Sequence, residues 1–253
     1  MTRTAPIQSD VSSSLFGRAL GLVYGTIAYT ILVGTFVYAI GFLGRFIVPK
    51  HINSGGSMSL LSAIVIDLVL MGVIAVQHGV MARKDFKRRL AGLMSPVIAR
   101  STYVLCSSLV LIAVFTFWQP VRVIVWHIDN LALAFVVQLA SMLGWLLVLH
   151  STSLINHFEL FGLKQAAMNF IGRTVPETSF ATPGFYRFAR HPLCLGFVIA
   201  FWATPTMTVG NLLFVAVATA YIFVGIALEE RDLIATFGER CRQDKMRAAM
   251  PLL

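Results

Sequence analysis

Apolar positions run along this chain in blocks too long for a soluble fold. Polar side chains are sparse from about Phe16 to Val48, Met58 to Met81, Val97 to Trp118 and Leu131 to His150. Each block meets the roughly 20 residues that an α-helix needs to cross a ~30 Å hydrocarbon core. The blocks stop at familiar signals. Asn53, Gly55 and Gly56 form a turn after the first, a basic run from Arg83 to Arg89 follows the second, and Pro120 closes the third. A last apolar region, Pro192 to Leu228, is interrupted by Thr204-Pro205 and Gly210-Asn211. Two helices of about 13 and 18 residues joined by a tight turn fit it better than one long helix. The pattern predicts an all-α integral membrane protein, a helical bundle of four spans plus a C-terminal helical hairpin. Residues 1–15 read as a disordered cytoplasmic tail without the apolar core of a signal peptide, and residues 16–253 as a single transmembrane domain.

Composition agrees with the pattern. Of 253 residues, 57% are hydrophobic and 12% charged, and mean hydropathy is +0.80. A soluble domain carries roughly twice that charged fraction. The net charge of +9 would raise the question of nucleic acid in a soluble chain, but here the basic residues flank the apolar blocks, where anionic lipid is the expected partner. Of the 20 Lys and Arg, only Arg45, Lys50 and Arg122 fall in the two loops on one side, and the other 17 fall on the opposite side. By the positive-inside rule both termini are then cytoplasmic, as are the segments Phe185 to Gly196 and Leu228 to Lys245. Cys106, Cys194 and Cys241 have no metal-ligand spacing and read as free thiols. His150 and His157, seven apart, do not form an i, i+4 ligand pair, so no metal is expected. No P-loop, G-x-G-x-x-G or G-x-S-x-G motif occurs, which excludes soluble nucleotide-binding folds.

The remaining candidates are polar groups at helix ends or inside spans. Pro192 opens an apolar helix directly after Arg187, Arg190 and His191. That is an ordinary helix start with membrane anchors, or else a site where free N–H groups and arginine receive a carboxylate or phosphate. Glu229 and Glu230 close the last apolar helix, where acids oppose the macrodipole unless the helix continues through Leu233, Ile234 and Phe237 to Gly238. They are either a solvated face or partners for the arginines or a ligand ammonium. Asp67 lies inside the second span and reads first as a structural hydrogen-bonding group. His78 shares its helix face about 16 Å away, near the cytoplasmic boundary. Gly17, Gly21 and Gly25 form a small-residue stripe suited to close helix packing.

The text RHPLCLGF followed by EERDLIATFGERCRQDK resembles the carboxyl-terminal signature of the isoprenylcysteine carboxyl methyltransferase type of membrane enzyme. With NHFELFGLKQ, AFWATPTMTVGNLL, AVQHGVMARKDFKRR and RSTYVL, it is similar to the bacterial methanethiol S-methyltransferases, a group related to nurim and NnrU-like membrane proteins. The resemblance implies methyl transfer from S-adenosyl-L-methionine to a small thiol, methanethiol, giving dimethyl sulfide in the bacterial inner membrane. It assigns Arg190, His191, Pro192, Leu195, Gly196 and Asn211 to the cofactor site, with Glu229 and Glu230 closing it and the adjacent Tyr186 and Arg187 included. His78 is the first choice for taking the thiol proton, and His191 and Glu229 are its rivals. Cys194, Asn211 and Cys241 depart from the group's usual aromatic, histidine and tyrosine. A lipid, prenylcysteine or other thiol acceptor stays open, as does a non-catalytic nurim-like role.

Overall fold

The computed structural model describes residues 14–56, 58–83, 86, 89, 94–154, 157–173 and 191–237, with the backbone alone at Ala82, Pro96, Glu229 and 232–237. The first 13 residues of the expected tail, much of the basic run after Met81, the residues Tyr186, Arg187 and Arg190, and Cys241 lie outside the described residues.

Helix α1 spans Leu15–Gly44, α2 Leu60–Ala82, α3 Pro96–Phe117 and α4 Leu131–Leu154. Serines start three of them. Ser14, Ser59 and Ser95 accept hydrogen bonds from the first-turn N–H groups of Gly17, Ser62 and Val97, and Pro96 occupies the first helical position of α3. Two short helices follow α4, α5 at His157–Leu160 and α6 at Leu163–Phe170. Helix α7 is Pro192–Trp202 and α8 is Val209–Phe237.

The structure corrects the expected hairpin. Its first helix, α7, has 11 residues and rises about 16 Å, half a membrane. Its second, α8, has 29 residues and contains an apolar stretch, Val209–Leu228, long enough to span by itself. Five of the described helices therefore reach membrane length, not four. Beyond that stretch α8 runs on through Glu229 and Glu230 to Phe237, so these acids do not sit against its own terminal carbonyls.

The structure is mostly helical, as expected, and adds one small sheet. Strand β1, Ile124–His127, pairs antiparallel with β2, Thr206–Thr208, in the place expected to be a tight turn. Around it, Val209 and Gly210 donate to the carbonyls of Val123 and Val121, and the Trp126 indole N–H donates to Thr204 O at 3.1 Å. Irregular backbone near a bilayer must satisfy its N–H and C=O groups within the protein, and this small sheet does so for two connections at once. It marks the sheet end of the bundle. The α1–α2 connection lies there too, since Arg122 donates to the carbonyls of Asn53 and Gly55, and the Thr208 hydroxyl donates to Asn53 Oδ1 at 3.0 Å.

Helices α4 and α7 touch backbone to backbone. A Cβ added at Gly144 would lie 2.5 Å from Ala200 N, and one added at Gly196 would lie 2.8 Å from Val148 Cγ2 and 2.9 Å from Gly144 O. Only glycine permits that approach. The Ser141 hydroxyl adds a hydrogen bond to Ala200 O at 2.8 Å. The small-residue stripe of α1 behaves similarly at Gly25, where a Cβ would come 2.8 Å from Ala166 of α6. Between these contacts, Phe42, Phe115, Trp118, Trp145, Phe201 and Phe214 form an aromatic core. Valines and leucines such as Val65, Leu68, Val69 and Val76 face outward, as lipid-exposed positions should.

Candidate active site

The end of the bundle opposite the sheet gathers the α2 C-terminus, the α3 N-terminus, α5, α6, the start of α7 and the end of α8. His191 is the residue before α7, and its side chain makes no capping bond to the first-turn N–H groups. Pro192 is buried beside it. Leu195 donates its backbone N–H to His191 O at 3.0 Å, but its side chain is 45% exposed on the outside of the helix. Gly196 is buried against α4, so a packing role accounts for it fully. Glu230 is half-buried, and Glu229 precedes it on α8.

Asn211 does not join this group. It sits at the sheet end, 3% exposed, where its Oδ1 accepts from the Thr208 hydroxyl at 2.8 Å and its N–H is aimed at the same oxygen. The 18 residues of α8 between Asn211 and Glu229 put about 27 Å between them. Thr208 caps the helix that follows β2, and Asn211 is its partner in the first turn, away from Glu229 and Glu230.

Asp67 also belongs to the sheet end. It is fully buried and its Oδ1 accepts the backbone N–H of Gln119 at 2.8 Å, which ties α2 to the end of α3. That is the structural role read first from its position.

His78 lies in the last turns of α2, in a polar cluster made by three helices. Its Nε2 pairs with the Tyr103 hydroxyl at 2.7 Å and its Nδ1 with the Ser107 hydroxyl at 3.3 Å. Gln77 donates to the same Ser107 oxygen at 3.2 Å. Tyr221 of α8 packs edge-on to the imidazole, with ring centroids 5.9 Å apart. Glu229 follows Tyr221 by eight residues, about 12 Å farther along α8. Tyr103, Ser107 and Tyr221 are absent from the sequence-based candidates. The signal was present: Tyr103 and Ser107 are four apart and share one face of an otherwise apolar helix.

A second histidine is held differently. His157 Nε2 pairs with the Tyr29 hydroxyl at 2.9 Å and its Nδ1 with the Thr152 hydroxyl at 2.9 Å, within a ring of Tyr29, Phe158 and Phe161. Burial holds this imidazole below its ordinary value. It joins α1, α4 and α5. Cys106 and Cys194 form no disulfide, and no cluster of three or more His, Cys, Asp or Glu gathers among the described residues.

These features define a multi-pass helical membrane protein with a histidine-centred polar cluster inside the bundle. The chain is 47% identical over 244 residues to methanethiol S-methyltransferase 1 of Bradyrhizobium diazoefficiens, covering 96% of this chain and 86% of that one. It is 43% identical over 235 residues to methanethiol S-methyltransferase of Mycobacterium tuberculosis, covering 93% and 96%. Nurim of Bos taurus is 30% identical over 186 residues, 69% of this chain and 70% of its own. No family model matches, and no solved structure matches. The chain belongs to the methanethiol S-methyltransferase family, with nurim a more distant relative.

Proposed function

We propose that this protein transfers the methyl group of S-adenosylmethionine to methanethiol, forming dimethyl sulfide and S-adenosylhomocysteine. The observation that carries this reading is identity of 43% or more to proteins named for that reaction over at least 93% of the chain. In the reaction a thiolate sulfur attacks the methyl carbon, the bond from that carbon to the sulfonium sulfur breaks, and its electron pair stays on the departing thioether. Neutralising two opposite charges needs no oxyanion-type stabilisation. The protein must align the pair, exclude water and remove the thiol proton.

The residues at the end of the bundle opposite the sheet suit the donor. The N-terminal turn of α7 presents N–H groups that His191 leaves uncapped, and with Arg190 and Arg187 it would take the amino-acid carboxylate. Glu229 and Glu230 would take the ammonium or ribose hydroxyls, and the Tyr186 ring would accept the sulfonium against its face. His78 would serve as the base on which the thiol proton finally rests, since imidazole titrates near neutral pH. The asymmetry of Lys and Arg supports both termini on the cytoplasmic side of the bacterial inner membrane.

A non-catalytic role is favoured by the similarity to nurim and by Cys194, Asn211 and Cys241. The departure at Asn211 weighs little, because it lies about 27 Å along α8 from Glu229. Membranes containing the protein, given S-adenosylmethionine and methanethiol, are expected to release dimethyl sulfide into the headspace. Hydrogen sulfide and a prenylcysteine should serve poorly. Donor binding without transfer to any of the three would favour the non-catalytic role.

A further inference from the structure

We propose that Tyr103, not His78, is the group that receives the thiol proton, and that it passes its own proton to His78 Nε2 in the same step. The inference rests on the methyl-transfer reading above and specifies how the proton leaves.

Both imidazole nitrogens of His78 are already occupied. Tyr103 Oη lies 2.7 Å from Nε2 and Ser107 Oγ lies 3.3 Å from Nδ1. The shorter distance is that of an O–H donor, while N–H donors settle nearer 2.9–3.0 Å. A phenol also donates more readily than it accepts, so Tyr103 donates to Nε2 and Nδ1–H donates to Ser107. Ser107 is suited to this, because its oxygen accepts from Gln77 at 3.2 Å as well. In this arrangement no nitrogen of His78 faces the substrate with a vacant lone pair. The basic atom left to meet a thiol is the Tyr103 oxygen, which keeps a lone pair while its proton points at the imidazole.

Next to His78 the surface of α2 is open, since a Cβ at Gly79 would meet no side chain and no other element nearer than the Tyr221 hydroxyl, at 4.0 Å, and methanethiol has only two heavy atoms. The groups that face His78 from the neighbouring helices are Tyr103 and Ser107 of α3 and Tyr221 of α8.

The step balances. The thiol S–H bond breaks and an O–H bond forms at Tyr103. The original Tyr103 O–H breaks and an N–H forms at His78 Nε2, leaving a neutral phenol and an imidazolium. The sulfur lone pair so released forms the new S–CH3 bond as the donor's S–CH3 bond breaks. A neutral phenol remains beside the product, so no phenolate has to persist within the bundle.

The test compares two acceptors. Purified full-length wild type and Tyr103→Phe, both in lipid nanodiscs, are assayed with methanethiol and with 2,2,2-trifluoroethanethiol, whose fluorines make it the stronger acid and largely remove the need for a proton acceptor. General-base effects are on the order of 100-fold or more, so Tyr103→Phe is expected to lose about 100-fold in kcat with methanethiol and under about fivefold with the fluorinated thiol. The KM for S-adenosylmethionine should stay unchanged. His78→Gln is expected to give the same acceptor-dependent pattern, and a 3-fluorotyrosine at position 103, which keeps the hydroxyl, decides the matter if the Phe variant does not fold, by changing kcat with methanethiol and not with the fluorinated thiol. Equal losses on both acceptors, or none on either, would overturn the relay. A wild type that methylates neither thiol would overturn the methyl-transfer reading itself, and the relay with it.

Discussion

Gly196→Ala separates packing from ligand binding in the segment where α7 begins. The added methyl would lie 2.8 Å from Val148 Cγ2, 2.9 Å from Gly144 O and 2.9 Å from Val148 N, whereas ordinary contacts begin near 3.4 Å. Two of those three atoms are backbone and cannot rotate away. Helices α4 and α7 must part by about half an ångström, and overpacking of this kind costs about 1–3 kcal/mol. For a chain of this size, a loss of about 2 kcal/mol corresponds to a Tm lower by roughly 4–8 °C. Gly72→Ala on α2 is the control, because nothing lies within 4 Å of the added atom and alanine favours a helix by roughly 0.5–1 kcal/mol. Thermal unfolding of both variants in the same detergent is expected to show a clear drop for Gly196→Ala and no drop for Gly72→Ala. If Gly196→Ala unfolds with wild type yet fails to bind S-adenosylmethionine, the packing account of this glycine is refuted.

Other consequences follow from single contacts. Asp67→Leu removes the acceptor of the Gln119 N–H, and the orphaned buried donor should cost about 1–3 kcal/mol, whereas Asp67→Asn keeps an acceptor oxygen and should cost less in the same unfolding assay. His157 is held below its ordinary value by burial, so its folded form binds protons less readily than the unfolded chain. Its contribution is therefore present above the unfolded value of about 6.5 and is lost as pH falls below it through the folded value. Tm should decrease from pH 7.5 to pH 5, and His157→Gln should flatten that decrease. Arg190→Gln should raise the KM for S-adenosylmethionine more than it lowers kcat, because the charge-assisted pair proposed with the carboxylate would be the same before and during methyl transfer.

Much of the fold was legible because membrane spans announce themselves by length. The serines before α1, α2 and α3 and the proline opening α7 are local signals, and they stand where the sequence placed helix starts. The sheet was not legible. Thr206–Thr208 has three residues, and its partner Ile124–His127 lies some 80 positions earlier, beyond the reach of any local pattern. The length of α8 was left open, since Glu229 and Glu230 stand where a span could end and the apolar spacing of Leu233, Ile234 and Phe237 offered continuation, which the helix takes up to Phe237. His78 could be singled out as an ionisable residue at membrane depth. Its partners carry a weaker signal, since Tyr103 and Ser107 are uncharged and their shared helix face points to His78 only once α2 and α3 are placed side by side. Asn211 is the opposite case, a residue grouped by resemblance with Glu229 that lies at the other end of the same helix.

Isotopic labelling follows the methyl group from donor to thiol. Purified protein in lipid is given methanethiol and S-adenosylmethionine carrying a trideuterated methyl group, and the headspace is read by mass. The account predicts dimethyl sulfide heavier by three mass units, carrying one labelled methyl per molecule, and S-adenosylhomocysteine in equal amount. Absence of dimethyl sulfide, or dimethyl sulfide without the label, would contradict it.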